Sequence, residues 1–126
     1  LFAHGLSFLE KNFHSRWGEI DLVMLEREPI TKGAAKVFNR RLHTNDVTSC
    51  GNLILVFVEV RYRRSDKYGS AADSVDQRKQ EKILRTAKAY LAKHTEYTNL
   101  PVRFDVVAVS RRNCRPKILW IRDAFQ

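Results

Sequence analysis

The sequence predicts an α/β fold in which a mixed β-sheet is flanked by helices. Segments 19–25 and 53–63 alternate with the two-residue period of strands, and segment 73–94 carries apolar residues at helical spacing. Two further strand patterns, 102–109 and 117–121, follow that helix. Strands interrupted by a helix in this order are typical of an α/β layer.

Length and composition fit one folded domain spanning residues 1–126. Of the 126 residues, 44% are hydrophobic and 29% charged, with 5 Gly and 3 Pro, which is the balance of a chain with its own core. The net charge of +9 favours an anionic partner, with nucleic acid the first candidate and an acidic membrane surface the second. No apolar run reaches the roughly 20 residues of a membrane span, so none is expected.

The two cysteines, Cys50 and Cys114, have no cysteine or histidine near them at ligand spacing. A zinc site is therefore not expected, whereas a single disulfide is left open. We interpret both side chains as reduced thiols and expect a cytoplasmic protein, because reduced thiols are typical of that compartment.

The N-terminal region predicts a strand and a long connection. Residues 1–15 indicate the end of a helix, a turn at Gly5 and a short strand that buries Leu6 and Phe8. Residues 26–52 mix Pro, Gly, Asn and Ser with scattered basic residues, so we interpret them as a long hairpin insertion.

Two neighbouring strands carry acidic residues near their ends. Alternation places Asp21 and Val23 on one face of their strand. Segment 53–63 is apolar on both faces until Glu59, which indicates a central strand whose last residues emerge at the rim of the sheet. Because a hairpin sets these strands side by side, Asp21 and Glu59 are expected to meet near that rim.

Two carboxylates at one place indicate a site for a divalent cation. They repel each other unless a cation lies between them, and one or two carboxylates completed by water and phosphate oxygens suit Mg²⁺, with Mn²⁺ as a substitute. Such an ion activates water and neutralises the charge that develops on a phosphodiester under attack. Arg61 follows Glu59 on the same face and is expected to reach the phosphate.

The helix pattern at 73–94 is amphipathic. Lys79 and Gln80 precede its apolar stripe by four residues, so they extend that stripe by one polar turn toward the rim of the sheet. The remaining basic residues are expected on the flanks and the outer surface of the helix: Arg78, Lys82, Arg85 and Lys88.

Four ordered blocks resemble the YraN family of bacterial proteins. They are GEIDLV at 18–23, LVFVEVRYRRS at 55–65, YGSAADSVDQRKQEKI at 68–83, and RFDVVAV followed by IRDAF at 103–109 and 121–125. The resemblance covers nearly the whole chain except the insertion, where this chain is longer. It implies the restriction-endonuclease-like fold and a PD-(D/E)xK type site similar to that of archaeal Holliday-junction resolvases.

The resemblance also implies roles for the acidic residues. Asp21 would be the first metal-binding carboxylate and Glu59 the second, and Arg61 would stand where the catalytic lysine of the fold belongs. Arginine does not give up its proton, so charge stabilisation is the role left to it. Glu19 is a further candidate metal ligand, or a cap of the turn at Gly18. Similar proteins have an N-terminal helix whose glutamate completes the site, and we expect that helix to be truncated here.

Candidate nucleic-acid contacts follow from the same comparison. Lys79 and Gln80 fall where such folds often place a helix residue near the site, and Arg63 and Arg64 are candidates for contacts with phosphates. Each has an ordinary alternative. The two arginines could form a solvated basic edge that blocks strand pairing, and Lys79 could extend off the helix end into solvent.

Other charged residues have structural interpretations. Asp21 and Glu59 could be ordinary strand-end charges in solvent. Asp105 looks like a buried carboxylate, and we expect it to pair with Arg103 or a helix cation. The two tryptophans are interpreted as packing in the core or at the rim.

The prediction from the sequence is a metal-dependent, nuclease-like protein that hydrolyses DNA with some non-duplex feature, such as a branch. The alternative is a non-catalytic nucleic-acid-binding module that keeps the fold, favoured by Arg61 and the missing helix. A third class is an interaction protein whose basic face docks on an acidic protein or on ribosomal RNA. Resolvases of similar fold act as symmetric dimers, so a homodimer is left open.

Overall fold

The computed structural model describes residues 5–28, 52–63, 75–112 and 115–125. The mixed sheet and the α/β class predicted from the sequence are confirmed. The elements in chain order are β1 (Leu6–Ser15), β2 (Gly18–Arg27), β3 (Leu53–Arg63), α1 (Gln77–Lys93), a single 3₁₀ turn (Thr95–Tyr97), β4 (Val102–Arg112) and β5 (Arg115–Phe125).

The five strands form one sheet in chain order, with β1 and β5 at its edges. Neighbouring strands are antiparallel except β3 and β4, which run parallel. A parallel pair needs a long crossover connection, and α1 supplies it. The chain must therefore begin α1 at the end of the sheet where β3 finishes, which sets the first turn of the helix over the last residues of β3.

The main core lies between α1 and one face of the sheet. Ile83, Ala87 and Tyr90 recur at helical spacing and are buried against it. The Tyr90 ring meets Phe13 of β1 and Phe57 of β3 edge-on, with centroid distances of 5.0 and 5.6 Å. This arrangement is the favoured one for aromatic pairs and adds to the energy of burial. The helix is thereby held over the β1–β3 part of the sheet.

A smaller apolar cluster lies on the opposite face of the sheet. It is formed by side chains that alternate with the main core along the same strands: Leu6, Met24, Val56, Val58 and Val107. Phe8, which the sequence pattern predicted to be buried, is 46% exposed. A strand pattern alone cannot distinguish a covered position from one near the sheet edge, and β1 is an edge strand.

A buried ionic network lies beside this second cluster. The Asp105 carboxylate, which has no exposed surface, accepts hydrogen bonds from Arg103 Nε at 2.8 Å, Arg103 Nη2 at 2.9 Å and Trp120 Nε1 at 2.9 Å. The backbone N–H of Asp123 adds a fourth at 3.0 Å. The predicted pairing of Asp105 with Arg103 is confirmed, and the bonds from Trp120 and Asp123 join β4 to β5.

Glu26 extends the same network to β2. It accepts hydrogen bonds from Arg103 Nη1 and, at 2.6 Å, from Arg122 Nη2. Burial lowers the pKa of Arg103, but its hydrogen bonds with Asp105 and Glu26 outweigh burial and raise that pKa overall. Glu26 and Arg27, which the sequence pattern assigned to the long connection, are the last residues of β2. Residues 29–51 of that connection lie outside the described residues.

Two further sequence expectations concern the ends of the chain and membranes. The helix end expected at residues 1–4 lies outside the described part of the structure, whereas the turn at Gly5 is present, with φ of +81°. Among the described residues, no helix has both the length and the apolar character needed to cross a membrane.

We predict that Arg103→Met destabilises the fold by about 3–5 kcal/mol, because it leaves the Asp105 carboxylate buried without its cation. Replacing both members, in Arg103→Met/Asp105→Leu, should recover part of that loss, since the Asp105 carboxylate is then gone and Glu26 keeps its bond from Arg122. Equilibrium unfolding in urea measures both free energies. A double variant that is less stable than Arg103→Met would contradict this account of the network.

Candidate active site

A cleft lies where the first turns of α1 face the start of β2 and the end of β3. Its volume is about 450 Å³, and charged side chains of both signs dominate its walls. It is lined by Gly18, Glu19, Asp21, Glu59, Asp76, Arg78, Lys79, Lys82 and Ile83.

Glu59 stands on the wall formed by β3. It follows Leu55 and Phe57 on the face covered by α1, because side chains two residues apart share a face. Its side chain is only 8% exposed, and Lys79 Nζ forms an ion pair with its Oε1 atom. Arg61 Nε lies 3.8 Å from the same oxygen. Arg61 is not among the described residues that line the cleft.

The pKa of Glu59 is raised above its ordinary value of 4.5. Burial is the largest cause, and the nearby charge of Asp21 raises the pKa further. The hydrogen bond from Lys79 lowers it but does not compensate. The protein therefore holds the Glu59 carboxylate where its negative charge is costly.

Asp21 stands beside Glu59 on the neighbouring strand. The antiparallel register pairs Leu22 with Val58, so Asp21 comes opposite Glu59. Asp21 Oδ2 accepts a hydrogen bond of 2.8 Å from the backbone N–H of Val60. This bond fixes the carboxylate across the strand pair, and the structure thus brings Asp21 and Glu59 together in one cleft.

The start of α1 directs Lys79 into the cleft. Asp76 is the N-cap residue, and its carboxylate accepts a hydrogen bond of 2.8 Å from the backbone N–H of Lys79. Gln80 Nε2 instead donates to the carbonyl oxygen of Val75 at 2.9 Å. Lys79 is consequently available to the site, whereas the Gln80 amide braces the segment that precedes the helix.

Three further residues were predicted to belong to the site, and of these the structure describes only Glu19 in the cleft. Glu19 lines the cleft with a side chain that is 43% exposed, and its carboxylate lies 3.7 Å from His14 Nδ1. Arg63 ends β3, but only its backbone is described, and Arg64 lies outside the described residues. The structure therefore gives no contact for these two arginines.

Arg78 and Lys82 line the cleft, although the sequence pattern assigned them to the flanks and outer surface of the helix. The spacing held a usable signal, because Lys82 and Ile83 follow Lys79 at three and four residues and so share its side of the helix. A helical wheel centred on the apolar stripe does not identify Arg78 and Lys82 as cleft residues. The stripe faces the core, whereas the cleft opens beside the stripe, on the flank of the helix.

The donor atoms present fit a magnesium-type ion. Mg²⁺ is bound by one or two protein carboxylates and keeps waters and substrate phosphate oxygens in its other positions, and Asp21 with Glu59 offers two carboxylates. Within the described ranges, no group of three or more His, Cys, Asp or Glu side chains forms a metal site. Glu19 therefore does not join the other two in a closed set of protein ligands.

Comparison with known proteins agrees with the resemblance seen in the sequence. The model of a family described as "Uncharacterised protein family UPF0102" matches residues 1–109. A UPF0102 protein of Nitrosococcus oceani is 36% identical over 126 residues, which cover 100% of this chain and 82% of the relative. A UPF0102 protein of Nitrosomonas europaea is 40% identical over 120 residues, covering 95% of this chain and 78% of the relative.

The UPF0102 protein YraN of Shigella flexneri serotype 5b is also similar. It is 40% identical over 126 residues, which cover 99% of this chain and 74% of that protein. The blocks that carried the resemblance include the residues that build the cleft: GEIDLV contributes Asp21, LVFVEVRYRRS contributes Glu59, and the helix block contributes Lys79. Matches over most of both chains establish that this protein belongs to the UPF0102 family, which includes YraN.

Proposed function

We propose that this protein is a metal-dependent nuclease that hydrolyses phosphodiester bonds of DNA in the cleft between α1 and the ends of β2 and β3. The observation that carries the proposal is the convergence of Asp21, Glu59 and the Lys79 ammonium group on that cleft. Carboxylates next to a cation in a cleft are the groups that metal-assisted phosphodiester hydrolysis needs.

Asp21 and Glu59 are the residues that would hold Mg²⁺ or Mn²⁺. When bound, the ion supplies an activated water and neutralises charge on the phosphate. The burial of Glu59 supports this role, because a carboxylate held at a cost to its charge is more typical of functional sites than of ordinary surface positions. Burial at such a site is offset when a cation binds.

Lys79 and Arg61 serve different purposes in this proposal. Lys79 lines the cleft and can exchange a proton with the reacting oxygens, which a guanidinium group does not do. Lys79 is therefore the residue that protonates the leaving oxygen, although the fold resemblance places Arg61 at the lysine position. Arg61 lies against Glu59 and contributes fixed positive charge beside the phosphate.

Binding of a polyanion is supported by the cations around the cleft. Arg78 and Lys82 line it together with Lys79, and the chain carries a net charge of +9. Phosphate contacts of this kind dominate nucleic-acid affinity and make it fall steeply with salt.

A second candidate function is nucleic-acid binding without hydrolysis. The observation that favours it is the ion pair itself, because Lys79 occupies an oxygen of Glu59 that a metal ion would need. In this case the cations of the cleft bind phosphates, and the Glu59 carboxylate only orients Lys79.

We predict that the protein cleaves DNA with Mg²⁺ or Mn²⁺, and that Asp21→Asn and Glu59→Gln each lower the rate by more than about 100-fold, beyond the effect typical of changes outside the metal ligands. A labelled panel of duplex, single-stranded, flapped and four-way DNA measures the rate and the preferred substrate. Lys88→Gln, which removes a charge from an exposed part of the same helix, is the matched control.

Three outcomes of this assay are informative. Loss of cleavage in Lys79→Arg, with binding retained, supports proton transfer by Lys79, because the substitution keeps the charge. DNA binding that survives both carboxylate substitutions, with no cleavage by any form, favours the second candidate function. Equal cleavage by wild type, Asp21→Asn and Glu59→Gln would exclude the proposed catalytic site.

We predict that Glu59→Gln is more stable than wild type at pH 7. A carboxyl whose folded-state pKa is raised destabilises the fold once it ionises. The penalty is absent below the unfolded value of 4.5, grows as the pH rises through the raised folded-state pKa, and is complete above it. Thermal unfolding should thus show a higher midpoint for Glu59→Gln at neutral pH and convergence with wild type in acid.

Glu19→Gln serves as the control for this measurement, because the same chemical change is made in the cleft at a side chain that is 43% exposed. Its midpoint should stay close to that of wild type across the pH range. A Glu59→Gln variant that is less stable than wild type at pH 7 would show that the ion pair with Lys79 outweighs the cost of burial.

A further inference from the structure

A second group of cations lies next to the cleft, around the turn that joins β1 and β2. The guanidinium carbons of Arg16 and Arg85 lie 4.5 and 4.8 Å from the centroid of the Trp17 ring. Trp17 is 39% exposed, although large aromatic residues are usually buried. We call Arg16, Trp17 and Arg85 the Trp17 clamp.

Hydrogen bonds fix the clamp in place relative to the cleft. Ser15 Oγ accepts a bond of 3.1 Å from the backbone N–H of Trp17 and lies 3.2 Å from Thr86 Oγ1, to which it donates. Thr86, which is fully buried, donates in turn to the carbonyl oxygen of Lys82 at 2.8 Å. The next residue after Trp17, Gly18, lines the cleft. The clamp and the cleft are therefore parts of one continuous surface.

Most of the described cations of this surface are not held in ion pairs. Within the part of the chain that the structure describes, Arg16, Arg78, Lys82 and Arg85 form no ion pair with a carboxylate, in contrast to Lys79 in the cleft. Two guanidinium groups beside one indole ring repel each other, and the ring offsets only part of that repulsion. An anion bound between them would remove it, and guanidinium groups bind phosphate bidentately.

The spacing of the helix cations matches a nucleic-acid strand. Arg78, Lys82 and Arg85 follow one another at four and three residues, so they lie along one side of α1. The seven residue steps from Arg78 to Arg85 span about 10 Å at 1.5 Å per step. A strand of duplex DNA carries one charge per roughly 3.4 Å of axis, and an extended single strand is spaced more widely, so this distance corresponds to at most about three phosphates.

We propose that the Trp17 clamp binds a phosphodiester group of the nucleic-acid strand within about three phosphates of the one in the cleft. The proposal rests on the proposed function, because it assumes that the strand enters the cleft. Arg16 and Arg85 donate to the phosphate oxygens, and Trp17 positions their guanidinium groups through contact with its ring. The preferred ligand is thus a strand that extends at least this far beyond the scissile bond.

The test compares binding of labelled single-stranded oligonucleotides of increasing length at several salt concentrations, measured by fluorescence anisotropy without a divalent cation. For Arg16→Gln/Arg85→Gln we expect the slope of log affinity against log salt to fall in magnitude by about 0.7, the value for one lost phosphate contact on a single strand. Wild-type affinity should rise at the oligonucleotide length that first reaches the clamp, and this rise should be absent in the double variant.

The control is Lys11→Gln/Lys88→Gln, which removes two charges from exposed residues that neither line the cleft nor contact Trp17. Its affinity should rise at the same oligonucleotide length as that of wild type. Trp17→Leu retains both arginines, and it is expected to lose that length step, which a surface acting by net charge alone would not do. Circular dichroism of each variant confirms that it is folded.

The results separate this proposal from the proposed function. If wild type binds oligonucleotides and the arginine variant behaves like the lysine control, the clamp proposal is wrong and the nuclease proposal stands. If wild type binds no oligonucleotide at any length and also cleaves no DNA with Mg²⁺ or Mn²⁺, the nuclease proposal and the non-catalytic alternative fail together with the clamp. Loss of the length step only in the clamp variants supports the proposal.

Discussion

The parallel pairing of β3 with β4 is the constraint on which the rest of the structure depends. Adjacent antiparallel strands need only a turn, but a parallel neighbour requires the chain to return along the sheet, and α1 makes that return. The first turn of α1 is consequently placed over the end of β3, where the last residues of β3 are charged. A site that contains groups from a strand and a helix follows from this topology, since Glu59 and Lys79 are 20 positions apart in the chain yet in contact.

The buried carboxylates on the two faces of the sheet differ in how far their charge is compensated. On the face away from α1, Asp105 receives four hydrogen bonds, two of them from the guanidinium group of Arg103. On the face under α1, Glu59 has a contact with Lys79 that does not offset its burial, so its pKa is raised. A buried carboxylate with its hydrogen bonds satisfied contributes to the fold, whereas a carboxylate whose pKa is raised by burial is more typical of functional sites than of other positions.

Much of this arrangement could be predicted from the sequence, because periodicity reports which side of an element a residue occupies. The two-residue period in β2 and β3, with the two strands adjacent, predicted that Asp21 and Glu59 lie together. The helical period predicted that Lys79 points toward the same rim of the sheet. The pattern could not place Glu26, since a charged residue at the end of an apolar run looks like the beginning of a loop until a buried partner such as Arg103 is known. Arg78 and Lys82 were missed for a related reason: whether the flank of a helix faces solvent or a cleft depends on which strands end beneath it.

The hydrogen-bonded link from Ser15 through Thr86 to the backbone of α1 would also affect how the protein accommodates the proposed nucleic-acid ligand. Because this link joins the β1–β2 turn to the helix, it restrains the surface between them against a change of shape. The adjustment would then have to come from the nucleic acid, and the energy of bending or unstacking it would count against binding. The energy cost of such a change is largest for stiff, regular duplex and smallest for unpaired or interrupted strands. A restrained protein surface would therefore discriminate among nucleic acids without any contact to a base.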